Sequence, residues 1–285
     1  MLSDTAGEDA MTVQVDRWSN GPFEPVAERV LVARCQPCDV NVGLVVGDAA
    51  ALLVDVGTHP EQGAALYRSA VRAAEDTARH PVPVRWALLT HDHYDHWFGL
   101  SGVRAEAGER LIAAAHAWFG RRHGAEEDGE NERVQRQLGL ADVPMPDLRL
   151  ESAQCTAEDP WTLDLGGVTV QVAWLGHAHT PSDLVARVEA DGTAHPGRTG
   201  VPGAGGRAVE GAAGRRPVVF AGDLVEESGP PQAGGEADVP GWAAVVGKLV
   251  EFGGEDALYV PGHGAPVDAA FVRAQGEELA ARAAG

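Results

Sequence analysis

The sequence has few basic residues and no long apolar run. Its 285 residues include 22 lysines and arginines against 42 aspartates and glutamates, a formal net charge of −20. A surface of this sign repels phosphate backbones and anionic lipids, which argues against a nucleic-acid substrate and against docking on membranes. No segment approaches the roughly 18 apolar residues of a membrane span, and the acidic N-terminus lacks the pattern of a secretory signal. We therefore expect a cytoplasmic protein whose partner is a small molecule.

Cysteine is also scarce. The three cysteines, Cys35, Cys38 and Cys155, do not make a disulfide framework in a chain of this length. The Cys35-x-x-Cys38 pair has neither a second such pair nor the βαβ context of a redox domain. We interpret these residues as incidental thiols.

Apolar and helical patterns divide the chain into strands and helices. Runs of β-branched residues between turn residues predict strands at 29–34, 42–47, 51–56, 84–89, 168–174, 184–188, 217–221 and 257–260. Helical spacing predicts helices at 61–79, 97–107, 113–122, 131–138, 240–252 and 268–283. The strands run together with helices inserted between them, which favours packed sheets flanked by helices over a doubly wound sheet. The Gly-, Pro- and Ala-rich segment 190–216 predicts a flexible insertion, because it has too few large apolar side chains to offset the entropy of ordering.

A cluster of titratable residues follows the strand predicted at 84–89. It reads His91-x-His93-x-Asp95-His96. In an extended loop, residues two apart point to the same side, so His91 and His93 can approach one cation while Asp95 and His96 lean towards a second. Imidazole and carboxylate suit zinc and its first-row neighbours. A metal site is favoured over a solvated polar loop, since clustered titratable groups need a charge partner.

Three later strands also end in histidine or aspartate. The strand at 168–174 leads into the segment 176–183, which contains His177 and His179, and the strand at 217–221 leads into Asp223. The strand at 257–260 leads into His263. Glycines beside these residues allow close backbone approach. These strand ends are the expected source of the remaining ligands.

The four motifs resemble those of the metallo-β-lactamase-fold hydrolases. They are THDHYDH at 90–96, GHAHTPSD at 176–183, AGD at 221–223 and PGHG at 261–264, and the resemblance covers about residues 28–275. It implies an α/β (α+β) fold, a four-layer αββα sandwich of two mixed β-sheets flanked by helices, with a dinuclear metal site at one edge. We accordingly predict a partly disordered N-terminal extension over 1–27 and a single domain over 28–285.

The resemblance also implies a role for each motif residue. His91, His93 and His179 would hold a first metal ion, Asp95, His96 and His263 a second, and Asp223 would bridge the two. The expected cofactors are two zinc ions, with manganese or iron as alternatives. A hydroxide shared by two such ions would be the nucleophile, because a metal lowers the pKa of bound water to about 7. Asp95, His96 and Asp223 are the candidate catalytic residues.

Several neighbouring residues have open roles at this point. His179 is preferred to His177 as the ligand because it directly precedes Thr180, and His177 would lie at the pocket rim or behind a ligand. Asp55 would support the ligand loop or simply form a turn. Trp97 would line the pocket or belong to the core. Within the loop itself, Thr90 and Tyr94 are interpreted as spacers, and Asp92 is expected to point away from the metal.

The residue at the bridging position separates branches of the fold. Many zinc β-lactamases have a cysteine on the second metal, whereas this chain has Asp223 and no cysteine at the end of a suitable late strand. The pattern is more similar to the glyoxalase II-like thioesterases, the lactonases and the general hydrolases. We predict a dinuclear metal-dependent hydrolase acting on a thioester, lactone or related acyl compound. The alternatives are a mononuclear-iron sulfur dioxygenase of the same fold and a non-catalytic metal-binding module.

Substrate specificity is expected to come from the loops over the metal edge, 116–150 and 224–241. Residues 226–231 within the second loop would either shape the pocket or form a plain loop.

Overall fold

The computed structural model describes residues 18–119, 150–153, 155–190 and 216–284. The helix predicted at 131–138 and residues 191–215 of the predicted insertion lie outside these ranges. Within the described ranges, no helix combines the length and the hydropathy that a membrane crossing requires.

In the described part of the chain, twelve strands make up one strongly curled sheet. They are β1 (Glu24–Ala27), β2 (Val30–Cys35), β3 (Val40–Val46), β4 (Ala51–Val54), β5 (Val84–Leu88), β6 (Ile112–His116), β7 (Leu150–Ala153), β8 (Trp161–Asp164), β9 (Val168–Trp174), β10 (Leu184–Ala190), β11 (Val218–Glu226) and β12 (Leu258–His263). The helices are α1 (Pro60–Ala78), α2 (Tyr94–Trp97), α3 (Leu100–Ala107), α4 (Val239–Gly253) and α5 (Ala269–Ala284), with a 3₁₀ turn at Gly108–Arg110.

The sheet divides into two halves at the pairing of β3 with β12. The strand order is β7-β6-β5-β4-β3-β12-β11-β10-β9-β8, with β2 also paired to β3 and β1 to β2. The pairing of β3 with β12 rests on the antiparallel pair Val40↔His263, so the sheet can bend there. Both parallel pairs, such as β4–β5 and β11–β12, and antiparallel pairs, such as β2–β3 and β9–β10, are present.

The two halves face each other and enclose a core. Val45 of β3 points into this core, and so do Val170 of β9 and Phe220 of β11. Their neighbours along each strand point outwards, because side chains alternate between the two faces of a strand. The core between the halves is therefore built from every second residue of the central strands.

Helices cover both outer faces. Leu44 of β3 packs in a cluster with Leu66 of α1, and Val219 of β11 packs in a cluster with Trp242 of α4. The layers are thus helix, sheet, sheet, helix, which confirms the predicted αββα sandwich.

One sequence-based expectation about elements was wrong. The helix predicted at 113–122 is replaced over 112–116 by strand β6, which pairs in parallel with β5. Its alanines favour a helix in isolation, but pairing with a buried parallel strand overrides that weak preference. In addition, β1 lies within the segment predicted as an N-terminal extension and pairs with β2, so the sheet begins before residue 28.

Candidate metal centre

The seven predicted ligand residues converge at the point where the two halves of the sheet meet. They come from the loop after β5 and the short helix α2 that follows it, the loop after β9, the body of β11 and the last residue of β12: His91, His93, Asp95, His96, His179, Asp223 and His263. The parallel pairing of β11 with β12 brings two of these segments side by side.

Asp223 lies at the centre of the cluster. Its Oδ2 is 3.4 Å from His179 Nε2 and 3.5 Å from His263 Nε2. The same oxygen is 3.7 Å from His91 Nε2, and Oδ1 is 3.1 Å from His96 Nε2. One carboxylate therefore faces four histidines. Two of them belong to the first motif, and the other two lie at or beyond the ends of distant strands.

The ligand atoms fall into two groups. In the first, atoms of His91, His93, His179 and Asp223 lie within 4.8 Å of one another, and His93 Nδ1 is 2.8 Å from His179 Nε2. The second group contains Asp95, His96 and His263 within the same limit. Asp223 of the first group also lies 3.1 Å from His96 and 3.5 Å from His263 of the second.

Three of the five histidines are fixed from behind by long-range hydrogen bonds. His96 Nδ1 donates to Asp55 Oδ2 at 2.8 Å, and His263 Nδ1 donates to the Cys38 carbonyl at 2.7 Å. His179 Nδ1 donates to the Gln232 carbonyl at 2.9 Å. Asp55 thus supports the ligand loop rather than merely forming a turn.

The other two histidines are held in the same way. His93 Nε2 donates to Glu236 Oε1 at 3.2 Å. His91 Nδ1 lies 3.1 Å from Thr90 Oγ1, whose hydroxyl donates to Asp55. Each ring is held at its outer nitrogen by an oxygen, so its inner nitrogen faces the centre of the cluster.

Three buried atoms at the centre have no hydrogen-bond partner. They are His91 Nε2, His96 Nε2 and Asp223 Oδ1; the last two are 3.1 Å apart but are not aligned for a hydrogen bond. A buried polar atom without a partner costs about 1–3 kcal/mol. A cation among them would satisfy all three, so the residues fit the metal ions that the motifs imply.

The charges of the cluster shift its pKa values in opposite directions. Burial alone would raise the pKa of Asp223, but His96, His91 and His263 hold it well below its usual range. Burial lowers the pKa of His91 well below its usual value. Burial would also lower the pKa of His263, but Asp223 raises it to about 9. The protein without metal is therefore already arranged around a central negative charge.

The cluster forms the floor of a cavity of about 620 Å³. Tyr94, interpreted from the sequence as a spacer, lines this cavity together with Cys38 and Glu226. Residues between 228 and 234 form a further wall, as expected for part of the loop 224–241. Residues 120–149 of the other predicted specificity loop lie outside the described residues.

Three neighbouring residues take definite places. Trp97 is fully buried among Phe98 and Phe119 and donates to the Asp92 carbonyl, so it belongs to the core and does not line the cavity. Asp92 accepts a hydrogen bond from Ser182 Oγ at 2.7 Å. His177 donates to the Glu236 carbonyl at 2.6 Å, which leaves His179 as the histidine of this motif that reaches the centre.

Sequence reasoning gave no ligand or supporting role to two acidic residues of the site. Glu236 supports His93, and Glu226 lies with Asp223 and His263 in a third group whose ligand atoms are within 4.8 Å of one another. The only sequence signal for Glu226 is a carboxylate at the end of an otherwise apolar strand, three residues after Asp223. Nothing in the sequence links residue 236 to residue 93.

Comparisons with known proteins agree with this architecture. The family model of the metallo-beta-lactamase superfamily matches residues 35–263. A metallo-beta-lactamase from Hirschia baltica is similar in structure, with 16% identity, a TM-score of 0.57 and coverage of 90% of this chain and 96% of that chain. A metallo-beta-lactamase from Pontibacter korlensis has 15% identity, a TM-score of 0.56 and coverage of 90% and 97%.

The metallo-beta-lactamase FIM-1 from Pseudomonas aeruginosa, in its mono-zinc form, has 21% identity, a TM-score of 0.55 and coverage of 92% and 95%. At such identities these structures establish the shared fold alone. Comparison with curated protein sequences gave no match. The matched segment runs from Cys35 to His263 and contains every residue of the cluster, and the chain therefore belongs to the metallo-beta-lactamase superfamily.

Proposed function

We propose that the protein is a cytoplasmic, dinuclear metal-dependent hydrolase that acts on a small ester-like substrate, a thioester, lactone or related acyl compound. The observation that carries the proposal is the arrangement of the five histidines around Asp223. Each ring is anchored at its outer nitrogen and directs its inner nitrogen to the centre. Such second-layer anchoring is typical of histidines that hold metal ions.

The two groups of ligand atoms support two metal positions. The first position is enclosed by His91, His93 and His179, and the second by Asp95, His96 and His263. Asp223 belongs to the first group and lies within 3.5 Å of His96 and His263 of the second, which supports its role as the shared ligand. When bound, two ions, zinc in our assignment and manganese or iron as alternatives, supply Lewis acidity that activates water and polarises a carbonyl.

The cavity wall supplies the remaining functions. Burial raises the pKa of Tyr94 above its usual range, so its hydroxyl keeps its proton and can donate a hydrogen bond to a substrate oxygen. No lysine or arginine is found among the described lining residues. A neutral ester or lactone therefore suits this part of the cavity better than an anionic substrate, and a nucleic acid does not suit it.

Metal analysis combined with a substrate panel tests the proposal. We expect about two zinc-like ions per chain and turnover of at least one thioester or lactone in a panel that also contains β-lactams and phosphodiesters. Asp223→Ala should lower kcat at least about 100-fold, because it removes the shared ligand and leaves buried nitrogens unpaired. Asp76→Ala, on the exposed face of α1, should keep wild-type turnover.

Two results would overturn the proposal. One iron per chain with oxygen consumption on a persulfide would identify a sulfur dioxygenase. Full turnover by Asp223→Ala would remove the bridging role.

A further inference from the structure

Glu226 is a buried carboxylate at the metal cluster that the motif residues do not account for. Its side chain is 5% exposed and lines the cavity. Its oxygen lies within 4.8 Å of the ligand atoms of Asp223 and His263. Among the described residues, Glu226 forms no ion pair with a lysine or arginine.

The backbone holds Glu226 in this position. It is the last residue of β11 and pairs directly with His263 of β12. Its N–H donates to Gln275 Oε1 of α5 at 2.9 Å, and Gln275 Nε2 donates to the Leu224 carbonyl at 2.8 Å. The Glu227 N–H then donates to the His263 carbonyl. The carboxylate therefore starts from a rigid strand end beside a proposed ligand.

The two neighbouring carboxylates at this site would be stabilised by a cation. Glu226 and Asp223 are two buried carboxylates side by side, and like charges in a buried site repel strongly. Buried charges in proteins are paired or coordinate metals. Two central atoms on the same side, His96 Nε2 and Asp223 Oδ1, also have no hydrogen-bond partner.

We propose that Glu226 is a further ligand of the second metal position, beside Asp95, His96, His263 and the shared Asp223. This inference rests on the proposed function, because it requires an ion at that position. With Glu226 included, the second position has more carboxylate than imidazole ligands, whereas the first position has three imidazoles. Carboxylates suit harder ions such as Mn²⁺. The two positions therefore differ in preference, and the second should discriminate less against Mn²⁺ than the first does.

Metal titration of the full chain tests this assignment. Protein freed of metal is titrated with Zn²⁺ and separately with Mn²⁺, by calorimetry and by competition with a chelating dye, as wild type, Glu226→Gln and Glu227→Gln. Glu226→Gln keeps the shape of the side chain but removes its charge. We expect Glu226→Gln to lower the affinity for the second ion at least about tenfold, and to lower it more for Mn²⁺ than for Zn²⁺. The affinity for the first ion should change less than about threefold. Glu227→Gln, one residue away and exposed outside the cavity, should bind both ions like the wild type.

A spectroscopic readout separates ligation from a general effect of charge. The visible absorption of Co²⁺ reports the number and geometry of its ligands. The spectrum of the second Co²⁺ should change in Glu226→Gln, while that of the first stays the same. Glu226→Asp, which keeps the charge but shortens the side chain, guards against a folding defect, and circular dichroism should show native helix content in all variants. Glu226→Asp should lose less affinity for the second ion than Glu226→Gln does, but it should still alter the Co²⁺ spectrum.

The outcomes distinguish this inference from the proposed function. If the wild type binds two ions and Glu226→Gln binds the second with unchanged affinity and spectrum, Glu226 is not a ligand and the dinuclear hydrolase stands. If the wild type binds a single ion whose affinity Glu226→Gln does not change, both assignments are wrong.

Discussion

At the scale of single residues, the site depends on atoms that lie behind the ligands. Asp55 is the main example, since its Oδ2 accepts from His96 while its Oδ1 accepts from the backbone N–H of Thr90 at 2.8 Å. It has φ 63°, a left-handed conformation that only a few side chains tolerate. One carboxylate thus fixes both the orientation of a proposed ligand and the start of the ligand loop.

We expect Asp55→Asn to lower the affinity for the second metal ion about 10- to 100-fold. Asparagine tolerates the left-handed backbone, but its amide has one acceptor oxygen instead of two and cannot serve both Thr90 and His96. Binding of Zn²⁺ by calorimetry measures the effect. Asp76→Asn, on the exposed face of α1, is the control. Unchanged affinity in Asp55→Asn would mean that His96 is oriented by something else.

At the scale of elements, close packing of β11 against β12 places the central carboxylate. A side-chain carbon added at Gly262 would lie 1.8 Å from Asp223 Oδ1. Gly262, the first glycine of the PGHG motif, is therefore required by the close approach of Asp223 rather than by a turn. The sequence predicted a close approach at this glycine but not its partner, because the contact joins two strands whose register is set by the whole sheet.

We expect Gly262→Ala to displace Asp223, to lower the free energy of unfolding by about 1–3 kcal/mol and to lose bound metal. Gly247→Ala is the matched control, since an added carbon there meets nothing within 4 Å on an exposed face of α4. It should stabilise the protein by about 0.5–1 kcal/mol, because alanine favours a helix over glycine. Urea unfolding and metal analysis would show both effects, and wild-type metal content in Gly262→Ala would contradict the prediction.

Element identity was predictable where the apolar pattern was strong. The strands at 84–89 and 168–174 and the helix at 61–79 were found within one residue of their predicted bounds. β6 was misassigned because an alanine run in a buried parallel strand has the same composition as a helix. The short edge strands β1 and β8 carry too few apolar residues to stand out.

At the scale of the whole molecule, the metal centre lies where the two halves of the sheet meet, so its geometry depends on how they pack. Phe220 connects the packing of the two halves with the metal centre. It is buried between the halves three residues before Asp223, and its ring occupies the space that the missing side chain of Gly43 leaves open on β3. Large apolar side chains in such a position contribute both stability and alignment.

We expect Phe220→Ala to lower the free energy of unfolding by about 3–5 kcal/mol, because it leaves a cavity between the halves. It should also weaken metal binding by misaligning β11. Phe271→Ala, the same change at a site that is 37% exposed on α5, should cost less than about 0.5 kcal/mol. Denaturant unfolding compares the two, and similar losses in both variants would contradict the role given to Phe220.

The sequence by itself determined the chemistry of the site and most of the elements that carry it. Ligand types are residue types, and the loop 91–96 is local, so the motif could be found without a structure. Only the tertiary structure decided which groups stand behind and beside those ligands. Asp55 meets His96 across 41 residues, Glu236 meets His93 across 143, and the Cys38 carbonyl meets His263 across 225. Such contacts, and the place of Glu226, depend on sheet register and on the packing of the two halves, which no local pattern of residues encodes.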